Sequence, residues 1–97
     1  MIIKTFFNIS YNYHNLDEFN KSLEYADKGI DYCMEQNMMY SLNHLYYRKG
    51  IAEFFLNRSE HLDSLKKSIQ VLEIQGNLEL ANLYRKVTKD KYNIDIE

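Results

Sequence analysis

The residues of this chain whose types most often do chemistry near neutral pH are His14, His44, His61 and Cys33. A zinc or similar site needs three or four such donors converging, commonly paired at helical spacing. The histidines stand 30 and 17 residues apart with no second His or Cys at that spacing, so surface or groove histidines are the better reading. Cys33 falls on an apolar stripe and reads as a small buried hydrophobe. A nucleophilic thiol needs a base beside it, and the sequence places none there. Being the only cysteine, it also cannot form an internal disulfide, which fits a reducing, cytoplasmic setting. Asn8-Ile9-Ser10 and Asn57-Arg58-Ser59 match the glycosylation sequon, but in a chain this rich in Asn, with no signal peptide at Met1-Ile2-Ile3-Lys4, they read as coincidence. Arg85, Lys86, Lys89 and Lys91 make the last helix basic; complementing the helix dipole accounts for them, with docking onto an acidic partner as the alternative. No catalytic constellation emerges. The chain is not expected to be an enzyme, and no cofactor or metal is called for.

Composition narrows the class further. With 97 residues there is room for a single domain, taken as residues 1–97. A hydrophobic content of 45% is that of a globular protein, not a disordered one. The net charge of −2 argues against direct nucleic-acid binding, which needs a basic face to neutralise phosphates. No apolar run approaches the roughly 18–20 residues that span a bilayer, so no membrane role is expected. Proline is absent and glycine occurs only 3 times, which favours long helices.

Five helices follow from the periodicity. The first runs from about Ile2 to His14. Asn15-Leu16-Asp17-Glu18 matches a capping box for the second, which runs to about Gln36 on a stripe of Phe19, Leu23, Ala26, Ile30 and Cys33. Asn37 marks a break. The third helix spans about Met39 to Leu56, with Leu42, Leu45, Tyr46, Ala52 and Phe55 facing inward. After the turn at 57–59, Ser59 or a neighbour caps the fourth, whose stripe is Leu62, Leu65, Ile69 and Leu72. Gly76 ends it, and Asn77 caps a fifth with apolar positions Leu80, Leu83, Tyr84 and Val87. The tail from Asn93 shows no pattern and is expected to fray.

The chain repeats itself with a period of about 40. Phe6-Phe7 lies over Tyr46-Tyr47, Ser10 over Gly50, and the segment from Ser22 to Ile30 over that from His61 to Ile69. Hairpins of about 2–36 and 39–75, closed by a helix of about 77–92, are the expected architecture. Phe6, Ile9, Ser10, Tyr13, Phe19, Ser22, Ala26 and Gly29 fall at the spacing of the tetratricopeptide repeat, which this chain resembles. Small residues there let helix axes approach while large ones fill the space between. Gly29 and Gly50 each cost about 1 kcal/mol of helix propensity relative to Ala, which a tight crossing would explain. In the second unit Lys49 stands where a large apolar residue is usual. The segments Leu45-Tyr46-Tyr47-Arg48-Lys49-Gly50 and Leu72-Glu73-Ile74-Gln75-Gly76-Asn77 are similar to the C-terminal domains of peptide-sensing regulators of the Rgg/PlcR/PrgX class.

The resemblance implies an all-α, right-handed solenoid of helical hairpins: two hairpins plus a C-terminal capping helix. It implies a polypeptide ligand on the concave face, which the first helix of each hairpin lines. By repeat position that face presents Lys4, Phe7, Tyr11 and His14, then His44, Tyr47, Ile51 and Phe54; core packing competes with a ligand role for each. Asn43, one position off the strict register, is the candidate for holding a peptide backbone as groove asparagines do in those regulators. The carboxylate clamp of some tetratricopeptide proteins is incomplete, with only Lys4 and His14 near its pattern. Such regulators carry a helix-turn-helix and further repeats ahead of this point, so the resemblance makes this chain a truncated relative or a C-terminal piece. The function expected is a peptide- or protein-binding regulatory module, part of a transcription regulator answering a signalling peptide. The alternative is a structural module that dimerises, because two repeats are fewer than the three that usually stand alone. A third reading, a fragment of a repeat-bearing phosphorelay phosphatase, lacks any candidate residues.

Overall fold

The computed structural model describes residues 2–39 and 41–96, with side chains from residue 5 onward. Five helices account for them: α1 (Ile2–Asn15), α2 (Phe19–Glu35), α3 (Leu42–Phe55), α4 (His61–Ile74) and α5 (Leu78–Tyr92). No strand occurs among the described residues.

The helix boundaries are set by a recurring terminator. Asp17, Asn37, Asn57 and Gly76 all adopt the left-handed conformation, with φ of 58°, 53°, 59° and 76°. Asn, Asp and Gly tolerate that region best. At each, the next residue's N–H reaches back five positions: Glu18 to Tyr13, Met38 to Cys33, Arg58 to Glu53 and Asn77 to Leu72, all within 2.8–2.9 Å. These are Schellman closures, which satisfy carbonyls that a helix end would otherwise strand. They displace two expected caps. The Asn15 capping box does not form: α1 runs through Asn15, and Glu18 occupies the N-cap of α2 without a side-chain bond. Likewise Glu60, the neighbour of Ser59, holds the N-cap position of α4, again without a side-chain bond. Asn77 does cap α5, its Oδ1 accepting from the Leu80 N–H at 3.3 Å.

Successive helices run antiparallel, as short connections require. Across α1 and α2, Ser10 and Ser22 each donate to the other's carbonyl, at 2.7 and 2.8 Å, and both are buried. Serines at this crossing let the axes close while spending their hydroxyls locally. Gly29 and Gly50 serve the same end. A Cβ on Gly29 would stand 2.7 Å from Leu45 Cδ2, and one on Gly50 would stand 2.6 Å from Leu65 Cγ. The cost in helix propensity is therefore offset by contact that no other residue permits.

The odd-numbered helices lie side by side and parallel. Phe7 meets His44 and His14 meets Phe55 across α1 and α3. His44 bonds Tyr84, and Tyr47 bonds Thr88, across α3 and α5 at sequence separations of 40 and 41. Ring contacts and hydrogen bonds between residues 37 to 41 positions apart thus join α1 to α3 and α3 to α5.

Two apolar clusters fill the interior. One joins Ile30, Cys33, Leu42, Leu45 and Val71; the other joins Ile51, Leu65, Ile69, Leu72, Ala81, Ile94 and Ile96. Three expectations are corrected here. The tail does not fray: left-handed Asn93 turns the chain back, and Ile94 and Ile96 enter the core at 6% and 4% exposure. Phe55, expected inward, is exposed and stacks on Phe19 with centroids 4.5 Å apart. On α5, Leu83 and Val87 are exposed while Ala81 and Thr88 are buried, because the helix packs on its small side and turns its large residues toward a groove.

Candidate functional site

The groove lies among α1, α3 and α5. A cavity of about 210 Å³ is lined there by Phe7, Tyr11, His44, Tyr47, Arg48, Leu83, Tyr84 and Val87. Helix α3 supplies the floor, and tyrosines hold α5 at a distance from it, the Tyr47 and Tyr84 rings meeting at 5.0 Å. Large rings used as spacers leave an opening where shorter side chains would let the helices close.

Hydrogen bonds fix those rings. Thr88 Oγ1 donates to the Tyr84 carbonyl at 2.6 Å, so its single proton is spent and the Tyr47 hydroxyl donates to it at 2.9 Å. The Tyr84 hydroxyl lies 2.8 Å from His44 Nδ1. A neutral ring accepts that proton at Nδ1 and carries its own on Nε2. Burial, and then the Arg48 charge, hold His44 below its ordinary imidazole value, so neutrality is the favoured state at pH 7. Burial likewise raises Tyr47 and Tyr84, leaving both as neutral hydroxyls.

Arg48 is the charge of the site. It is 7% exposed, and its guanidinium lies 5.2 Å from the Tyr11 ring and 5.2 Å from the Tyr47 ring. No ion pair neutralises it among the described residues. Nη1 is buried with no hydrogen-bond partner.

Of the residues expected on the concave face, Phe7, Tyr11, His44 and Tyr47 line this cavity together. His14 and Phe54 stand at one end, in a run of rings with Phe19, Phe55 and Tyr92; His14 is T-shaped against both Phe19 and Phe55. Burial and the Arg48 and Lys91 charges hold His14 below its ordinary value. Ile51 is fully buried in the core, so it presents no surface to a groove. Asn43 is 2% exposed, its backbone carbonyl accepting from Ser68 Oγ at 2.7 Å and its Nδ2 unpartnered. The Lys4 side chain lies outside the described residues.

Arg48, Leu83, Tyr84 and Val87 were not among the expected groove residues. Arg48 stands four residues after His44, on the same helical face. Leu83, Tyr84 and Val87 stand one repeat after Asn43, His44 and Tyr47. Extending the period of about 40 through the last helix, instead of treating it as a cap alone, brings them into the site.

No group of three or more His, Cys, Asp or Glu among the described residues is placed to hold a metal ion, and no described helix is long and apolar enough to cross a membrane. Comparison with protein-family models, curated proteins and solved structures finds no match in any of the three.

Proposed function

We propose that this chain is a polypeptide-binding helical-repeat module of the tetratricopeptide kind, with its ligand lying in the groove among α1, α3 and α5. The observation that carries this reading is the cavity itself: aromatic walls from three parallel helices, exposed Leu83 and Val87 at its rim, and one buried charge. Rings supply contact area at low entropic cost, and a few fixed polar groups supply orientation, which is the composition polypeptide recognition uses. The parallel stacking of α1, α3 and α5 supports a solenoid in which each hairpin adds one helix to a concave face. The likeness to peptide-sensing regulators makes a role in transcription control, as a partner or C-terminal part of a DNA-binding regulator, the finer form of this proposal.

A second reading has its own observation. Ile74, Leu78 and Leu83 are 74%, 59% and 52% exposed at the end of the stack, where another repeat or a second copy could cover them. One experiment separates the two. The chain is displayed to a random peptide library, and its mass is measured by light scattering with and without the enriched peptides. Selection of related peptides that bind a monomer, and lose affinity on Tyr47→Ala, supports the groove reading. A stable dimer that enriches nothing moves the function to assembly.

A further inference from the structure

Arg48 is difficult to explain as a structural residue. A guanidinium largely removed from water, with no counter-charge among the described residues, is a costly group for a fold to hold. Ring faces on two sides offset only part of that cost, and Nη1 still lacks an acceptor. A chain shaped for stability alone would place an apolar side chain there. The guanidinium instead borders a cavity open to solvent, so an anion can reach it without unfolding anything.

The lining restricts which anion fits. Apart from Arg48, the cavity wall is aromatic or aliphatic, save for His44, a neutral ring whose Nδ1 is spent on Tyr84. Among the described residues no second cation lines it, so a doubly charged phosphate would remain half-neutralised there. A carboxylate carries one charge, and its two oxygens match the guanidinium fork. The volume of about 210 Å³ is below that of a typical drug-sized pocket, so it takes one anchoring residue of a longer ligand. We infer that the groove captures a polypeptide by a single carboxylate on Arg48, with the apolar side chain beside that carboxylate seated among Phe7, Leu83, Tyr84 and Val87. This rests on the groove reading above and names the chemistry of its ligand. The carboxylate belongs to a chain terminus or to an Asp or Glu side chain, and the two share the same recognition.

The test is affinity selection of randomised hexapeptides in two forms, one with a free C-terminal carboxylate and one amidated, against the wild-type chain and Arg48→Met. Hits confined to the free-acid form identify a terminal carboxylate. Acidic hits in the amidated form identify a side-chain carboxylate. Either supports the inference, provided that Arg48→Met weakens those hits roughly 10- to 100-fold. The thermal midpoint of unliganded Arg48→Met is expected to be unchanged or raised, because an unpaired buried charge has been removed. Hits that are equally strong in both forms, lack acids and survive Arg48→Met overturn the Arg48 assignment and leave the groove reading standing. An absence of hits in both forms overturns both. The comparison of free acid with amide uses the wild-type chain, so it tests the need for a carboxylate even if the variant folds poorly.

Discussion

The Arg48 charge acts on the neighbouring histidines. His14 and His44 both titrate below their ordinary 6.5, mainly through burial and then through Arg48. A lowered imidazole means that the unfolded chain binds more protons than the folded one. The stability contributed by the neutral rings is therefore full above 6.5 and is lost as pH falls below it. Glu53 works in the opposite sense. Burial raises its carboxyl even though Ser64 donates to it at 2.6 Å, so its contribution is full below 4.5 and declines as pH rises through the raised value. Comparing His44→Gln with the wild type at each pH cancels the Glu53 effect. The urea midpoint of the wild type should fall relative to that of the variant between about pH 7.5 and 5.5. Parallel pH profiles for the two proteins would show that His44 does not couple to folding.

At the scale of the helix, the terminators and crossings make the sharpest predictions. Asn57 holds φ of 59° in the turn between α3 and α4. Glycine enters that region freely, so Asn57→Gly should be neutral or stabilising by up to about 1 kcal/mol, whereas Asn57→Val should cost about 1–2 kcal/mol. Chemical denaturation of the pair checks this, and equal stabilities would remove the left-handed terminator as the cause of the helix end. Gly50→Ala improves helix propensity by about 1 kcal/mol yet should still lose about 1–2 kcal/mol net, because its methyl meets Leu65 at both side chain and backbone. A gain in stability would mean that α4 shifts without penalty. The C-terminal strap is the third case. Removing residues 94–97 exposes the core that Ile94 and Ile96 cover, at roughly 1.5–3 kcal/mol for each isoleucine. Against a typical total of about 5–15 kcal/mol, that loss should lower the thermal midpoint by well over ten degrees. A shift of only a degree or two would return the tail to the frayed state that its sequence implies.

Across the whole molecule, which measures 29 × 27 × 20 Å, the helices are not held equally. Helix α3 is central, packed by α2 and α4 and flanked by α1 and α5, and it carries buried residues from Leu42 to Glu53. Helix α5 buries only Ala81 and Thr88 and reaches α3 through Tyr84, Thr88 and Tyr47. Local opening follows such differences in buried contact. Hydrogen exchange should therefore be slowest in α3 and faster by an order of magnitude or more in α5, with the strap at 94–96 slowing the latter's C-terminal end. Uniform protection would indicate one cooperative unit with no preferred opening. Occupancy of the groove should slow α5 first, since its exposed Leu83 and Val87 form one wall.

The sequence by itself determined the helices, their breaks near Asn37, Asn57 and Gly76, the period of about 40, and four of the eight residues that line the cavity. These are local signals: apolar spacing, left-handed terminators and small residues repeat along the chain and act over one or two turns. The tertiary structure decided the rest. Ile51 lies on a groove-like register yet is core, because α4 packs over it. Leu83 and Val87 form an apolar stripe yet line a groove, because Tyr47 and Tyr84 hold α5 away from α3. Ile94 and Ile96 carry no periodicity, and only the turn at Asn93 brings them to an uncovered part of the core. Arg48 looks like any surface cation in its helix. It becomes a buried, unneutralised charge only when Tyr11 and Tyr47 close on either side, since burial and ion pairing depend on what the rest of the chain brings near and not on the residue itself.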